Sequence, residues 1–398
     1  MLDKIAAYFR NSDIDYPLLA PLLASSMLVQ LVTALIRVTT SYRAVELNLS
    51  IIWLGVIAAV FAIFPILIAV RVGRVIDRGH DARVAWVGSA IFLIAASGFA
   101  LWSSPIGLLT FSMVMGIGHI MLMASQQMLC VRAAGPRSLE SVFGNFMVAN
   151  AVGQGLGPYV VGWVGGSAAV PPTGQLFAIG AVLAVVALAA ALLMRPLRTA
   201  PVAAASQEIV PVRDILRVRG LVAVILVGMV LVSSSDVIII YIPLLGAERH
   251  IDVHDIGLLL TVRAAASMLA RLFYARMVSM FGRWPLIITT TFICAGTFAI
   301  IAMPLPLWAM HVTLAAMGFA FGTATTLSIT IIVDMTTVNA RGTANSLRIM
   351  SNRIGQFVMP FGASLIAALS GLAGLFLSLA VATALAAGAV WLKRPRSS

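Results

Sequence analysis

Asn150-Ala-Val-Gly-Gln-Gly-Leu-Gly-Pro158 returns 202 residues later as Asn352-Arg-Ile-Gly-Gln-Phe-Val-Met-Pro360, with Asn, Gly, Gln and Pro at the same spacing. The offset of 202 holds elsewhere: Leu54-Gly55 maps onto Ile256-Gly257, Arg74 onto Arg276 and Glu46 onto Glu248. Register kept over such a length means that one unit has been duplicated. A repeated apolar helix carrying two amides, a glycine and a kinking proline points to two packed halves with a polar path between them.

Composition fixes the solvent. Of 398 residues, 61% are hydrophobic and 10% charged, and mean hydropathy is +1.04. A soluble domain carries about 25% charged residues, so this is a membrane chain. The basic excess, 26 Lys and Arg against 14 Asp and Glu, does not point to nucleic acid, because those charges cluster in short loops. Apolar runs of about 20 residues predict twelve spans, at 17–40, 47–70, 84–102, 105–130, 140–164, 174–194, 220–244, 255–275, 284–303, 306–332, 343–368 and 371–392. Loops on the side of the termini carry Arg71, Arg74, Arg78, Arg83, Arg132, Arg195, Arg213, Arg217, Arg276, Arg283 and Lys393, among others, whereas the other side has Arg43 and Arg249. That bias places both termini in the cytoplasm. Met1 to Asp15 reads as an interfacial segment with no cleavable signal. Two cysteines, Cys130 and Cys294, are too few for a disulfide framework.

The loop Gly73-Arg-Val-Ile-Asp77-Arg78-Gly-His-Asp-Ala-Arg83 resembles the major facilitator superfamily, whose loop between spans two and three has glycine, an aspartate four residues on and then basic residues. A degenerate copy stands at Ala275-Arg276-Met-Val-Ser279-Met-Phe-Gly282-Arg283. The resemblance extends over the whole chain in span count, orientation, duplication and central linker. It implies an all-α membrane protein of twelve transmembrane helices in two pseudo-symmetric six-helix bundles. The segments are then a cytoplasmic N-terminal piece at 1–16, bundles at 17–194 and 220–392, a cytoplasmic linker at 195–219 and a tail at 393–398. It also implies that Gly73, Asp77, Arg78 and Arg83 latch the cytoplasmic face shut, with Arg132 as partner and Asp334 as its equivalent in the other half; solvated loop charges are the plain alternative. Gly153 to Gly162, with Gly157 and Pro158, is similar to the glycine-proline pattern of proton-exchanging exporters, and Pro360 keeps the proline in the second half. Helix-packing glycines are the alternative there.

Asp236 is the one acid placed deep in a span. A charged residue there costs about 2.5 to 3.5 kcal/mol on insertion scales, so it needs a partner or a task. A carboxyl that alternately meets and loses a cation can take up and release a proton, which makes Asp236 the candidate for proton coupling; the alternative is a structural acid paired with Arg37 or Arg263. Arg37, Arg263 and Arg353 outnumber that acid, which leaves cationic charge for an anionic substrate. Arg271 and Arg348 lie near span ends, from which they can snorkel. Asn150 with Gln154, and Asn352 with Gln356, share helix faces and either line the path or tie helices together. Tyr241 and His119 complete the candidate substrate set. An acid in the first span and an arginine in the fourth, frequent in drug exporters of the family, are absent from this sequence, so antiport of a cationic drug is not expected.

The function expected is a proton-coupled secondary transporter of a small organic, anionic compound across the inner membrane by alternating access, working as an exporter. A proton symporter importing a carboxylate-like anion is the main alternative, and a lipid flippase of the same fold a lesser one. No convergent His, Asp or Cys set argues for an enzyme, and no phosphate-binding loop argues for ATP hydrolysis. The chain is expected to act as a monomer, with substrate, protons and the bilayer as partners, and without cofactor or metal.

Overall fold

A computed structural model of the chain describes residues 14–134, 138–194, 212–337 and 340–394. Much of the predicted interfacial segment and of the linker therefore lies outside the described residues. Beside short helices at Val212–Leu216 and Tyr274–Phe281, ten long helices come in sequence: α1 Tyr16–Glu46, α2 Ile51–Val75, α3 Asp81–Leu101, α4 Pro105–Ala133, α5 Leu139–Gly165, α6 Thr173–Leu192, α7 Leu221–Glu248, α8 Val253–Leu272, α9 Arg283–Ile301 and α10 Leu307–Met335. The last helical run, Arg341–Lys393, is turned at Gly371, whose φ of +72° suits glycine alone; its arms before and after that turn are α11 and α12. Twelve spans result, as the hydropathy pattern predicts, in a multi-pass membrane fold. α1, α2 and α7 run past the predicted span ends, to Glu46, Val75 and Glu248, whereas α6 and α9 stop short of them, at Leu192 and Ile301. Asp15 caps α1 by accepting from Leu18 N at 3.2 Å, and Ser104 caps α4 by accepting from Gly107 N at 3.2 Å.

Two bundles, α1 to α6 and α7 to α12, meet along a seam through α1 with α7, α2 with α11, and α5 with α8. The duplicated segments meet each other crosswise. A Cβ on Gly257 of α8 would stand 2.6 Å from the Pro158 carbonyl of α5, and one on Gly55 of α2 would stand 2.8 Å from the Pro360 carbonyl of α11. Gly55 and Gly257 are counterparts at the 202 offset, as are Pro158 and Pro360. Small residues allow backbones to approach this closely where apolar burial gives no drive for association in lipid. Backbone bonds from Val253 N to Ala168 O and from His254 N to Gly166 O, at 3.1 and 2.9 Å, tie the halves again on the side away from the termini.

The side of the termini is different. A Cβ on Gly73 would meet nothing within 4 Å, and Arg78 and Arg83 are exposed. Among the described residues nothing packs against Gly73, while the backbone bonds that join the halves lie on the far side. Asp77 lies in a π-helical turn, Ile76–His80, and its side chain is outside the described set.

Candidate seam site

α1 presents a polar stripe to the seam: Ser26, Gln30, Thr33, Arg37 and Thr40 recur at helical spacing within an otherwise apolar helix. Arg37 reaches across from it. Its Nη1 donates to Asp236 Oδ1 of α7 at 2.6 Å, and both side chains keep only 14% of their surface exposed. The other carboxylate oxygen, Oδ2, accepts from Gln356 Nε2 of α11 at 2.8 Å, and Gln356 Oε1 accepts from Arg353 at 3.0 Å. Asp236 is thus gripped from the first half by a cation and from its own half by an amide that a second cation orients. Arg263 of α8, 7% exposed, donates to Ser235 Oγ at 3.1 Å beside Asp236, and its Nε has no hydrogen-bond partner.

Phe61 of α2 faces this cluster from the first half, its ring 5.3 Å from the Arg37 guanidinium carbon, an attraction between cation and ring face. The His119 ring lies 5.6 Å behind Phe61, and its Nε2 is buried without a partner. Phe61 is the 202-offset counterpart of Arg263, and both backbones are crowded by counterpart glycines, Gly116 and Gly318. Pseudo-symmetry so brings an aromatic ring and a guanidinium to opposite walls of one site. Neither Phe61 nor Gln30 was among the residues singled out from sequence; the repeat register would have found the first and the α1 stripe the second.

The amides separate into two roles. Asn150 accepts from Ser26 at 2.7 Å, tying α5 to α1, and Gln356 ties α11 to α7. Gln154 is exposed and Asn352 Oδ1 is buried without a partner. Buried Gln126 donates to Ser25 at 3.2 Å, and Gln30 makes only a weak bond to Met123 Sδ at 3.3 Å. Tyr241 is fully buried in the apolar core and belongs to no bonded set with the seam residues. The glycines of α5 are taken up by packing: Gly153 lies against Met27 and Gln30 of α1, Gly157 against Ala34, and Gly162 against Gly257.

Toward the termini, Arg132 pairs with Asp81; Nε and Oδ2 are 2.5 Å apart and both side chains are 5% exposed or less. In the second half Arg283 pairs with Asp334. These are counterparts at the 202 offset with the charges exchanged. The exposed second pair, 45% and 46% accessible, contributes at most about 1 kcal/mol. Removing one member of the buried first pair costs about 3 to 5 kcal/mol. Asp81→Ala is therefore expected to lower the melting temperature of the purified protein far more than Asp334→Ala. The exchanged variant Asp81→Arg/Arg132→Asp should recover about half of that loss, since the second half already holds the pair in this polarity. Equal losses for the two single variants would refute this ordering.

A family model described as Major Facilitator Superfamily matches residues 22–246 and again 224–398. Among solved structures, the chain is similar to a D-xylose-proton symporter at TM-score 0.80 and 15% identity, covering 96% of this chain and 98% of that one. A bacterial homologue of the human lysosomal transporter Spinster, inward-facing and occupied, superposes at 0.78 with 16% identity over 94% and 96% of the two chains. The nucleoside transporter NupG superposes at 0.74 with 15% identity over 96% and 100%. At such identity the likeness is one of fold. No curated protein matches the chain.

Proposed function

The chain belongs to the major facilitator superfamily, and from that premise we propose that it couples protons to the movement of a small organic anion through the seam by alternating access. Membership makes it a multi-pass secondary transporter rather than an enzyme. The observation that carries the finer reading is the Arg37–Asp236 pair, with Arg263 and Arg353 beside it as surplus cations. Asp236 is the proton-coupling residue. Arg37, Arg263 and Arg353 bind the anion, with His119, Gln154 and the partnerless Asn352 as polar neighbours.

Charge pairing also gives a direction of coupling. A proton on Asp236 neutralises the partner of Arg37 and frees its guanidinium for an anion. By linkage the bound anion makes Asp236 easier to protonate by the same factor. Proton and anion then ride together, which favours symport, and so import, over the exporter expected from the α5 glycines. The exporter reading keeps the Gly157-Pro158 pattern in its support, although packing accounts for those glycines. Positive charge on the side of the termini supports an inner-membrane protein with cytoplasmic termini, where the chain works as a monomer.

A thermal-shift screen of the purified protein against small carboxylates, sulfonates and phosphates, with neutral and cationic compounds as controls, tests the substrate class. Anions alone are expected to raise the melting temperature, and Arg263→Ala should remove the shift. Stabilisation by cations alone would overturn the reading. In proteoliposomes, symport predicts that the best-binding acid accumulates when the outside is acidic, and antiport when the interior is.

A further inference from the structure

Beyond Arg37, on the side away from the termini, lies a cavity of about 30 Å³, room for about two waters. Its walls are apolar except for Arg37 and the hydroxyls of Thr40, Ser41 and Ser112. Those groups supply the two to four polar partners that a buried water needs. Further out, a vestibule of about 470 Å³ opens between the ends of α1 and α2 and those of α7 and the Gly371 turn, with exposed Glu248 on its wall. Leu54 is the one residue that lines both spaces, and it is 4% exposed. Its counterpart in the second half, Ile256, is packed against Gly246 and fully buried. The repeat has thus set this one side chain between two hollows where its twin sits in solid core.

We infer that the Arg37 chamber is the route by which protons reach Asp236 from the side opposite the termini, and that Leu54 is its gate. The inference rests on the coupling role proposed for Asp236. The charged and titratable groups around that carboxylate are Arg37 from α1, Arg263 from α8, Arg353 from α11 and, behind Phe61, His119 from α4. Asp236 does not itself line the chamber; Arg37 does, and its Nη1 holds Asp236 Oδ1 at 2.6 Å. When that side chain swings aside, a hydronium ion hands its proton to Oδ1, leaving a water and a neutral carboxyl, while Arg37 keeps its charge and loses its partner. Leu54 in place interrupts the water chain. An apolar constriction one side chain thick is enough, because water does not wet so narrow an oily neck.

The test needs no transported substrate. In a chain with Cys130 and Cys294 replaced by serine, Ser112→Cys places a thiol in the chamber wall. Silver ion, small enough to follow water, is added on the side opposite the termini in vesicles of known orientation, and the modified thiol is scored by its failure to take up maleimide after denaturation. Leu54→Ala is expected to speed modification at least about tenfold. In proteoliposomes holding a pH-sensitive dye under an imposed potential, it should also open a proton leak, and Leu54→Ala/Asp236→Asn should abolish that leak. Leu54→Val, one methylene smaller, should shift both readouts the same way by less and serves if the alanine variant does not fold. Unchanged silver access overturns the route while leaving the coupling role of Asp236 to its own test. Faster access with a leak that survives Asp236→Asn overturns the claim that the route ends at that carboxylate.

Discussion

Asp236→Asn is expected to reduce gradient-driven accumulation about 100-fold, within the range of 5- to 150-fold over which two linked sites commonly couple, while exchange of labelled for unlabelled substrate continues. Asparagine keeps the shape and an oxygen for Arg37 at the position where Oδ1 now accepts at 2.6 Å. Its amide nitrogen meets Gln356, which accepts it only by turning its own amide over and giving up the bond from Arg353. What disappears is the ability to hold a proton, and with it the link between protonation and anion binding. Accumulation under an imposed proton gradient and exchange without one, measured in the same proteoliposomes, separate the two. Accumulation at the parent level in this variant would remove Asp236 from coupling.

Arg37→Ala is expected to do two kinds of damage. It takes away the one guanidinium that spans the seam to Asp236, so anion binding should weaken at least about 100-fold, of the order seen when one partner of a buried charge pair is truncated. It also leaves the Asp236 carboxylate with Gln356 as its one hydrogen-bond donor among the described residues. An uncompensated buried charge costs about 3 to 5 kcal/mol, and the 14% exposure of this pair brings the expectation to about 2 to 3 kcal/mol. Cys130 and Cys294 are free and buried, so a thiol-reactive dye reports the unfolding. The double variant Arg37→Met/Asp236→Leu removes both charges and should melt close to the parent, yet transport nothing against a gradient. A double variant as unstable as Arg37→Ala would mean that the pair holds the halves together rather than serving the cargo.

Much of this architecture was legible because a bilayer imposes a coarse rule: a span needs about 20 apolar residues, and a duplicated chain states the rule twice. Helix count and turn positions followed from that alone. Asp236 stood out for the same reason, as a charge where charges are scarce. Which cation it meets was not legible, since Arg37 lies 199 residues away and Arg263 was an equal claimant until the helices were placed. That Arg132 would meet Asp81 was not legible for a similar reason. Asp77 and Asp81 are four residues apart, and the π-helical turn between them, with Gly79 at φ +85°, breaks the helical register from which their directions would be read. Phe61, Gln30 and Leu54 carry no charge, and nothing in composition separates them from ordinary core. Only their positions against Arg37, or between two hollows, give them a role.

The crossed contacts of Gly55 with Pro360 and of Gly257 with Pro158 bear on how such a chain arose. In the repeat unit, glycine and proline belong to one stretch of sequence, yet in the fused chain each touches the other's twin. Two identical, unjoined copies of the six-helix unit paired side by side would make both contacts, with no covalent joint needed. Mutual recognition resides in the bundles themselves, so the chain severed within residues 195–211 should reassemble from its two fragments in one membrane.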